Sequence, residues 1–319
     1  MAANSLQVFV HTLRFEAQGI ISVDLRAVDG QDLPAFEAGA HIDVHLPNGM
    51  VRSYSLLNDS RERHRYVLGV LKDANSRGGS KAVHEQLRIG MRLDISAPRN
   101  HFALDESAEH TVLLAGGIGV TPILCMAQRL HALGKPFEVL YFARTRQSAA
   151  FVDALQALGC PLHLHFDDAQ GGPPDMKALL AARQLPNTHY YACGPAPMLD
   201  AFESHCQTLG YTNAHIERFA AVAVAAASDA KQSYSVELKR SGKVIDITPG
   251  MSLLAALQAA NAKVMTSCEE GICGSCETRV LEGIPDHRDS VLSPDEQASH
   301  KTMMVCVSGC KSDRLVLDL

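Results

Sequence analysis

The residues best suited to chemistry in this sequence are cysteines near its C-terminal end. Three of them form the pattern Cys268-Glu-Glu-Gly-Ile-Cys273-Gly-Ser-Cys276, and Cys306 follows 30 positions later. This is the C-x4-C-x2-C…C spacing of a plant-type [2Fe–2S] site, in which four thiolates bind two irons. The small residues of the loop would let backbone N–H groups approach the sulfurs. The spacing therefore predicts an iron–sulfur cluster on these four cysteines.

Two other readings of these cysteines are a zinc site and a redox pair formed by Cys273 and Cys276 alone. A zinc ribbon requires two CxxC pairs, and a thioredoxin-like pair lies where a strand runs into a helix; the sequence has neither pattern. Cys310 competes with Cys306 as the fourth ligand, because the distance to the last ligand is only loosely fixed. We expect Cys306 to be the ligand and Cys310 to be a buried thiol.

A second group of residues suits the binding of a pyrophosphate. The apolar segment 112–115 runs into a glycine-rich turn and a predicted helix, with Thr121 as its N-cap. The N–H groups at a helix start bind anions. A second turn follows another predicted strand at residues 193–195. Tight packing would explain one such turn, but two at the carboxyl ends of strands favour a dinucleotide crevice. The residues assigned to it are Gly116, Gly117, Gly119, Thr121, Cys193, Gly194 and Pro195.

A third group of residues suits the binding of a phosphate and a planar ring. In the segment Arg52-Ser-Tyr-Ser-Leu56, arginine can clamp a phosphate, tyrosine can stack on a ring, and serine can hydrogen-bond a ring nitrogen. The alternative is an edge strand with a solvated face, followed by a flexible turn at Arg77–Ser80. The residues singled out are Arg52, Ser53, Tyr54, Ser55, Gly69, Val70, Lys72, Arg77, Gly78, Gly79 and Ser80.

Asp167 and Asp168 follow the predicted strand Leu162–Phe166. A carboxylate at this strand end would accept a hydrogen bond from an adenosine ribose and would repel a 2′-phosphate, which favours NADH over NADPH. A solvated turn is an equally good interpretation of the two residues.

The elements that must position these residues change in type along the chain. Residues 1–102 contain short strand-like segments separated by turns, which is typical of a small antiparallel barrel. From Glu109, apolar strands alternate with helices expected to end at Leu133, Leu158 and Leu209, which indicates a parallel sheet covered by helices. We predict a β-barrel domain over residues 1–105, an α/β domain over 106–219, a linker over 220–232 and a ferredoxin-type domain over 233–319.

Composition and charge argue against several classes of protein. Hydrophobic residues make up 46% of the 319 residues, and no apolar run approaches the roughly 18–20 residues of a membrane helix. The net charge is −6 and the chain lacks a Lys/Arg-rich run, so nucleic acid is not an expected partner. We expect neither a membrane partner nor a secretory signal, and we therefore expect a cytoplasmic protein.

Together, these motifs resemble those of the phthalate dioxygenase reductase and vanillate O-demethylase reductase family over essentially the whole chain. Residues 52–56 are similar to its flavin motif, 77–80 to its phosphate-binding Arg-Gly-Gly-Ser, and 115–122 and 193–195 to its nicotinamide-dinucleotide turns. Glu217-Arg-Phe219 is similar to the segment whose phenylalanine lies near the flavin ring. Ser53 stands where Thr or Gln is usual, and Ala220 stands where some members have Gly.

The resemblance implies a fold and a set of cofactors. The expected fold is multidomain, with an antiparallel β-barrel flavin domain, a parallel-sheet α/β NAD domain of ferredoxin-reductase type and a C-terminal β-grasp ferredoxin domain. The expected cofactors are FMN rather than FAD, a [2Fe–2S] cluster and NADH; Asp167 is assigned to the NADH site from its position at the end of a strand. The residues expected where hydride is transferred are Ser55, Cys193, Glu217 and Phe219.

The resemblance also implies a partner and an activity. The expected enzyme passes electrons from NADH through FMN and the cluster to a separate Rieske-type oxygenase that acts on an aromatic acid or aryl ether. One alternative is an NADH-dependent reductase of a different electron carrier; another, from a different class, is a redox-sensing iron–sulfur protein. The C-terminal position of the cysteines favours the oxygenase reductase over the first alternative, and the intact flavin and dinucleotide motifs argue against the second.

Overall fold

Three stretches of the chain, residues 5–74, 76–220 and 233–319, are described by the structure, which is a computed structural model. They divide into two units, Met1–Phe219 and Ala220–Leu319. Nearly all of the predicted linker, residues 221–232, lies outside the described residues, and the four-part division of the chain stays a prediction. Within the described stretches, none of the helices combines the length and the apolar character that a membrane crossing requires.

The first unit begins with a six-stranded antiparallel sheet that closes on itself. Its strand order is β4-β3-β6-β1-β2-β5, and a bridge between Leu56 and Leu68 joins the residue that follows one edge strand, β4, to the other edge strand, β5. Alternate residues such as Val8, Val10 and Leu25 face the interior and are fully buried, as strands with one covered face require. The elements are β1 (Leu6–Ala17), β2 (Ile20–Ala27), β3 (His41–His45), β4 (Val51–Ser55), β5 (Tyr66–Leu71), α1 (Gly79–Gln86) and β6 (Arg92–Ile95).

The same unit continues with a five-stranded parallel sheet. Its elements are β7 (His110–Gly116), α2 (Val120–Leu133), β8 (Phe137–Ala143), α3 (Val152–Gln156), β9 (Leu162–Phe166), α4 (Asp167–Gln170), α5 (Met176–Ala181), β10 (Thr188–Cys193), α6 (Ala196–Leu209) and β11 (Ala214–Glu217). The strand order is β11-β10-β7-β8-β9. The order therefore reverses between β7 and β10, and ligands of such sheets bind at this point, outside the carboxyl ends of the strands.

The helices of the first unit confirm some predictions and correct others. α2 and α6 end at Leu133 and Leu209 as predicted, but α3 ends before Leu158. The predicted cap is wrong: Gly119 precedes α2, and the hydroxyl of Thr121 donates to the carbonyl of Ile118 at 3.1 Å. The flexible turn weighed as an alternative for residues 77–80 is also wrong, because α1 begins there. Its N-cap Gly78 has a φ of 106°, a left-handed conformation that favours glycine.

The second unit is a mixed five-stranded sheet with one helix against it. The strand order is β13-β12-β18-β14-β16, in which β12 and β18 are parallel and the other neighbours antiparallel. The elements are β12 (Tyr234–Leu238), β13 (Lys243–Ile247), α7 (Leu253–Ala259), β14 (Glu277–Glu282), β15 (Pro285–Asp286), α8 (Pro294–Ser299), β16 (Thr302–Met304), β17 (Gly309–Cys310) and β18 (Arg314–Leu317). Ser252 caps α7 by accepting the N–H of Ala255, and Leu253 and Leu257 bury its inner face. The predicted fold class, with its barrel, parallel sheet and C-terminal ferredoxin-type domain, is confirmed.

Candidate functional site

The predicted phosphate site lies where β4 approaches the start of α1. A Cβ atom at Gly79 would lie 2.7 Å from Cγ and 2.8 Å from Nε of Arg52, so only glycine lets the arginine extend over the first turn of this helix. The amide of Asn48 donates to the carbonyl of Gly78 at 3.3 Å and ties the turn before β4 to the same place. An arginine beside the N–H groups of a helix start is a fitting donor set for a phosphate.

Along β4, side chains alternate between two faces. The hydroxyl of Ser53 donates to Asp43 on the neighbouring strand at 2.6 Å. Burial raises the pKa of Tyr54 to about 12, against the opposing effect of Arg52, so its phenol stays protonated and its ring is available for stacking. Ser55, at the end of the strand, is buried and donates to Glu217 Oε2 at 3.2 Å.

The contact between Ser55 and Glu217 joins the barrel to the carboxyl ends of the parallel strands. Cys193 lies directly opposite Glu217 in the pairing of β10 with β11, and its side chain is fully buried. Burial raises the pKa of Glu217 to about 8, and the hydrogen bond from Ser55 offsets only part of that increase. Burial and the nearby Glu217 keep the pKa of the Cys193 thiol well above its ordinary value. Phe219, two residues after Glu217, is 39% exposed, so its side chain is accessible for packing against a bound ring.

The two glycine-containing turns meet at the point where the strand order reverses. A Cβ atom at Gly119 would lie 2.1 Å from the carbonyl oxygen of Cys193, and one at Gly116 would lie 2.7 Å from Pro195 Cδ. Gly116 and Gly194 approach each other in the same way. The sheet thus brings together the two turns that the sequence singled out, and the first turn of α2 faces the crevice between them.

The structure shows which side chains lie next to three further residues that the sequence analysis assigned to cofactor binding. A Cβ atom at Gly69 would lie 2.6 Å from Thr121 Cγ2, so this glycine lets β5 pack against α2. Lys72 pairs with Glu85 of α1 at 3.0 Å. Asp167 opens α4, and its carboxylate lies 3.5 Å from the ring of His165 at the end of β9. Their roles in cofactor binding stay predictions.

The four cysteines of the second unit gather as two pairs. The thiol of Cys268 interacts with Cys273, and the thiol of Cys306 interacts with Cys276. In each pair one sulfur donates to the other, which lowers the pKa of the acceptors Cys273, to about 5, and Cys276, and raises the pKa of the donors Cys268 and Cys306 above the ordinary value. Cys310 bonds instead to the carbonyl of Ser312 at 2.8 Å. Two pairs of neighbouring thiols match the needs of two irons with two cysteine ligands each.

The loop around these pairs supplies hydrogen bonds to the sulfurs. The N–H of Glu270 lies 3.3 Å from Cys268 Sγ, Ser275 Oγ lies 3.1 Å from Cys273 Sγ, and the N–H of Gly271 reaches Cys306. Gly271 has a φ of 71°, and a Cβ atom there would lie 2.6 Å from Val307. The loop therefore fits a [2Fe–2S] cluster, because only small residues in unusual conformations bring its N–H groups to the sulfurs.

Sequence reasoning missed some residues at these sites. Asn48 belongs to a Pro-Asn-Gly turn, which was a visible turn signal that gave no hint of the contact with Gly78. Asp289, whose backbone packs against Gly271 and whose side chain is 0% exposed, carries no sequence signal that would have singled it out.

Comparisons with known families match both units. Residues 236–311 match the 2Fe-2S iron-sulfur cluster binding domain, so the second unit is an iron–sulfur domain. Residues 92–216 match the N-terminal domain of dimethylamine monooxygenase subunit DmmA-like proteins.

Relatives of known name match the whole chain. Phenoxybenzoate dioxygenase subunit beta of Ectopseudomonas oleovorans is 48% identical, covering 100% of this chain and 98% of the relative. Vanillate O-demethylase oxidoreductase of Pseudomonas sp. strain HR199 is 45% identical, covering 98% of this chain and 100% of the relative.

Solved structures agree with these relatives. An intact type IV self-sufficient cytochrome P450 monooxygenase matches 99% of this chain with a TM-score of 0.92 and 38% identity, although this chain spans only 41% of that protein. Phthalate dioxygenase reductase, described as a modular structure for electron transfer from pyridine nucleotides to [2Fe-2S], matches with a TM-score of 0.72 and 38% identity, covering 99% of this chain and 98% of its own. The chain belongs to the family of phthalate dioxygenase reductase and vanillate O-demethylase oxidoreductase.

Proposed function

We propose that this protein is the reductase component of an aromatic oxygenase system, and that it passes electrons from NADH through FMN to its [2Fe–2S] cluster and on to a separate Rieske-type oxygenase. The observation that carries the proposal is the hydrogen bond between Ser55 and Glu217, because it joins the barrel strand that would bind the ring to the crevice that would bind the dinucleotide. The names of relatives support the oxygenase partner: one is a reductase subunit of a toluene-4-sulfonate monooxygenase system.

The barrel residues would hold FMN. Arg52 and the start of α1, with Arg77, Gly78, Gly79 and Ser80, would bind the phosphate, and Tyr54 would support the ring. The glycine-rich turns at 116–121 and 193–195 would hold NADH, with Asp167 directed to its adenosine ribose. Bound FMN would accept a hydride and release its two electrons singly, which NADH cannot do and a one-electron cluster requires.

The residues between the two sites would orient the reacting rings. Ser55 would hydrogen-bond the flavin, Cys193 and Glu217 would form the floor under the nicotinamide, and Phe219 would cover the flavin until NADH displaces it. A carboxyl group with a pKa near 8 can release or accept a proton at Oε2 around neutral pH. Glu217 would therefore carry away the proton that remains after both electrons have left.

We further propose that the four predicted chain segments are the functional domains and that the reaction takes place in the cytoplasm. The cluster would be bound by Cys268, Cys273, Cys276 and Cys306. The pairing of Cys306 with Cys276 supports the ligand set, and the bond from Cys310 to Ser312 argues against Cys310.

An anaerobic reduction experiment tests the proposal. NADH should bleach both flavin and cluster absorption of the purified protein, with FMN released on denaturation and two irons per chain. Cys306→Ser should lose the cluster while NADH still bleaches the flavin. Cys310→Ser is the matched control and should keep both. Iron without flavin, or loss of iron in the Cys310 variant alone, would contradict the proposal.

A further inference from the structure

Beside the cluster loop lies a group of buried polar atoms that the proposed electron path does not use. Among the described residues, both ring nitrogens of His287, Oδ1 of Asp289 and Nδ1 of His300 are buried without a hydrogen-bond partner. The side chain of His287 is only 6% exposed, and that of Asp289 is 0% exposed. Proteins rarely leave buried polar groups unpaired, because each has lost its hydrogen bonds to water. Several unpaired buried polar atoms in one place therefore indicate that they have a function.

Asp289 is connected to a cluster sulfur through the backbone. The N–H of Ser290, the next residue, donates to the carbonyl of Gly271 at 2.9 Å, and the N–H of Gly271 reaches Cys306. The Cα atom of Asp289 lies so close that a Cβ atom at Gly271 would come within 3.1 Å of it. Gly271 thus links the cluster sulfur of Cys306, through its N–H group, to the segment that carries Asp289, through its carbonyl group.

The carboxylate of Asp289 is fixed toward His287. Its Oδ2 accepts the N–H groups of Val291 and Leu292 at 3.2 and 2.9 Å. Its other oxygen, Oδ1, lies 3.7 Å from His287 Nδ1. This separation is within reach of a charge-assisted hydrogen bond after a small ring movement, once the ring nitrogen carries a proton.

The other charged groups nearby interact with partners other than Asp289. Arg288 pairs with Asp286 at 2.6 Å, and Lys311 lies 3.9 Å from the same carboxylate. The ring of His300, which follows α8, lies parallel to the ring of His287 with centroids 6.0 Å apart. Cys310 is near Asp286 and bonds to Ser312. His287 is therefore placed to be the cation that balances Asp289.

A mononuclear metal ion is not favoured as the occupant of this place. At this place, no group of three or more His, Cys, Asp or Glu side chains among the described residues has an arrangement that holds one. A proton needs only the pair of atoms that the structure brings together.

We propose that His287 binds a proton when the cluster is reduced, so that one electron and one proton enter the iron–sulfur unit together. The inference rests on the proposed function, since the electron comes from NADH through the flavin and the proton comes from water. Each reduction adds one negative charge near the buried carboxylate of Asp289. A proton on His287 Nδ1 compensates that charge where water cannot.

A redox titration of the full-length protein, monitored by electron paramagnetic resonance of the reduced cluster from pH 6 to pH 9, tests this inference. The wild-type reduction potential should fall with increasing pH, by at most about 59 mV for each tenfold drop in proton concentration. His287→Gln should remove the dependence. His11→Gln, an exposed histidine of the first unit, is the matched control and should titrate as wild type.

Asp289→Asn provides a second variant if His287→Gln does not assemble a cluster, because the amide oxygen can still accept the N–H groups of Val291 and Leu292. Because this variant lacks the carboxylate that would stabilise a protonated His287, the pH range over which the reduction potential changes should move to lower pH. A wild-type potential that does not change with pH, or the same slope in His287→Gln, would overturn the inference. A missing cluster signal in the wild type would contradict the proposed function instead.

Discussion

Among single residues, Glu217 makes the stability of the folded chain depend on pH. Burial raises its pKa from 4.5 to about 8 in the folded chain. Between these values the folded chain keeps a proton that the unfolded chain has lost, so stability falls as pH rises through this range and levels off above it. The free energy of unfolding can change by at most about 1.4 kcal/mol for each pH unit.

Glu217→Gln should therefore be stabilising relative to wild type, and by an amount that grows from pH 5 to pH 8. The reason is that the neutral amide keeps the hydrogen bond with Ser55 and has no charged form to bury. Thermal unfolding followed by circular dichroism at pH 5, 6.5 and 8 measures the difference. Glu37→Gln, at an exposed position of the same unit, serves as the control. A difference that is the same at all three pH values would show that Glu217 is ionised in the folded chain.

The candidate site residues were largely visible in the sequence because the chemistry needs particular residue types at fixed spacings. Four cysteines and two glycine-containing turns are examples. The burial of Glu217 and Asp289 was not visible, because it depends on which strands and loops pack together. Ser55 and Glu217 are separated by 162 positions, and only the fold brings them to 3.2 Å.

At the scale of elements, the turn before α2 depends on the absence of a side chain at Gly119. Its φ of −61° is acceptable for any residue, so the constraint is contact alone. Gly119→Ala would place a Cβ atom 2.1 Å from the carbonyl oxygen of Cys193 and push the start of α2 away from β10. We expect at least a tenfold weaker affinity for NADH, because the two turns would no longer form one crevice, while flavin content stays unchanged.

Gly134→Ala, at the other end of α2, is the control for this substitution. A Cβ atom there meets nothing within 4 Å, although its φ of 65° makes alanine unfavourable by about 1–2 kcal/mol. It should lower the melting temperature and leave the affinity for NADH unchanged. Titration with NADH under anaerobic conditions, with unfolding measured in parallel, separates the two effects. Equal NADH affinities in the two alanine variants would contradict the role of Gly119.

Helices and strands were predicted well where the hydrophobic pattern determines the structure. They were predicted poorly where a local contact determines it. The strand Leu162–Phe166 has the predicted bounds. α1 was missed because glycines and serines at its start are typical of a loop, whereas Ala82 and Val83 anchor it to the barrel core. Thr121 was a reasonable cap by residue type, but the turn Gly117–Gly119 already satisfies the start of α2.

At the scale of the whole molecule, the division into two units predicts that flavin chemistry and cluster chemistry are separable. Each unit has a hydrophobic core of its own: Leu25, Ile42 and Leu113 belong to one, and Val236, Leu257 and Leu315 to the other. Residues 1–220 produced alone should therefore bind flavin and reduce ferricyanide with NADH at the rate of the intact chain. They should reduce cytochrome c slowly, because they lack the one-electron cluster.

Adding residues 233–319 as a separate polypeptide should restore cytochrome c reduction in proportion to the concentration of that piece. The predicted linker over residues 220–232 would give the second unit an effective concentration of about 1 mM in the intact chain, so pieces mixed at micromolar concentration should react on the order of a hundred times more slowly. The intact chain should show a turnover number that does not depend on protein concentration. Full cytochrome c reduction by residues 1–220 alone would mean that electrons leave directly from the flavin, and that the cluster serves a partner that cytochrome c does not imitate.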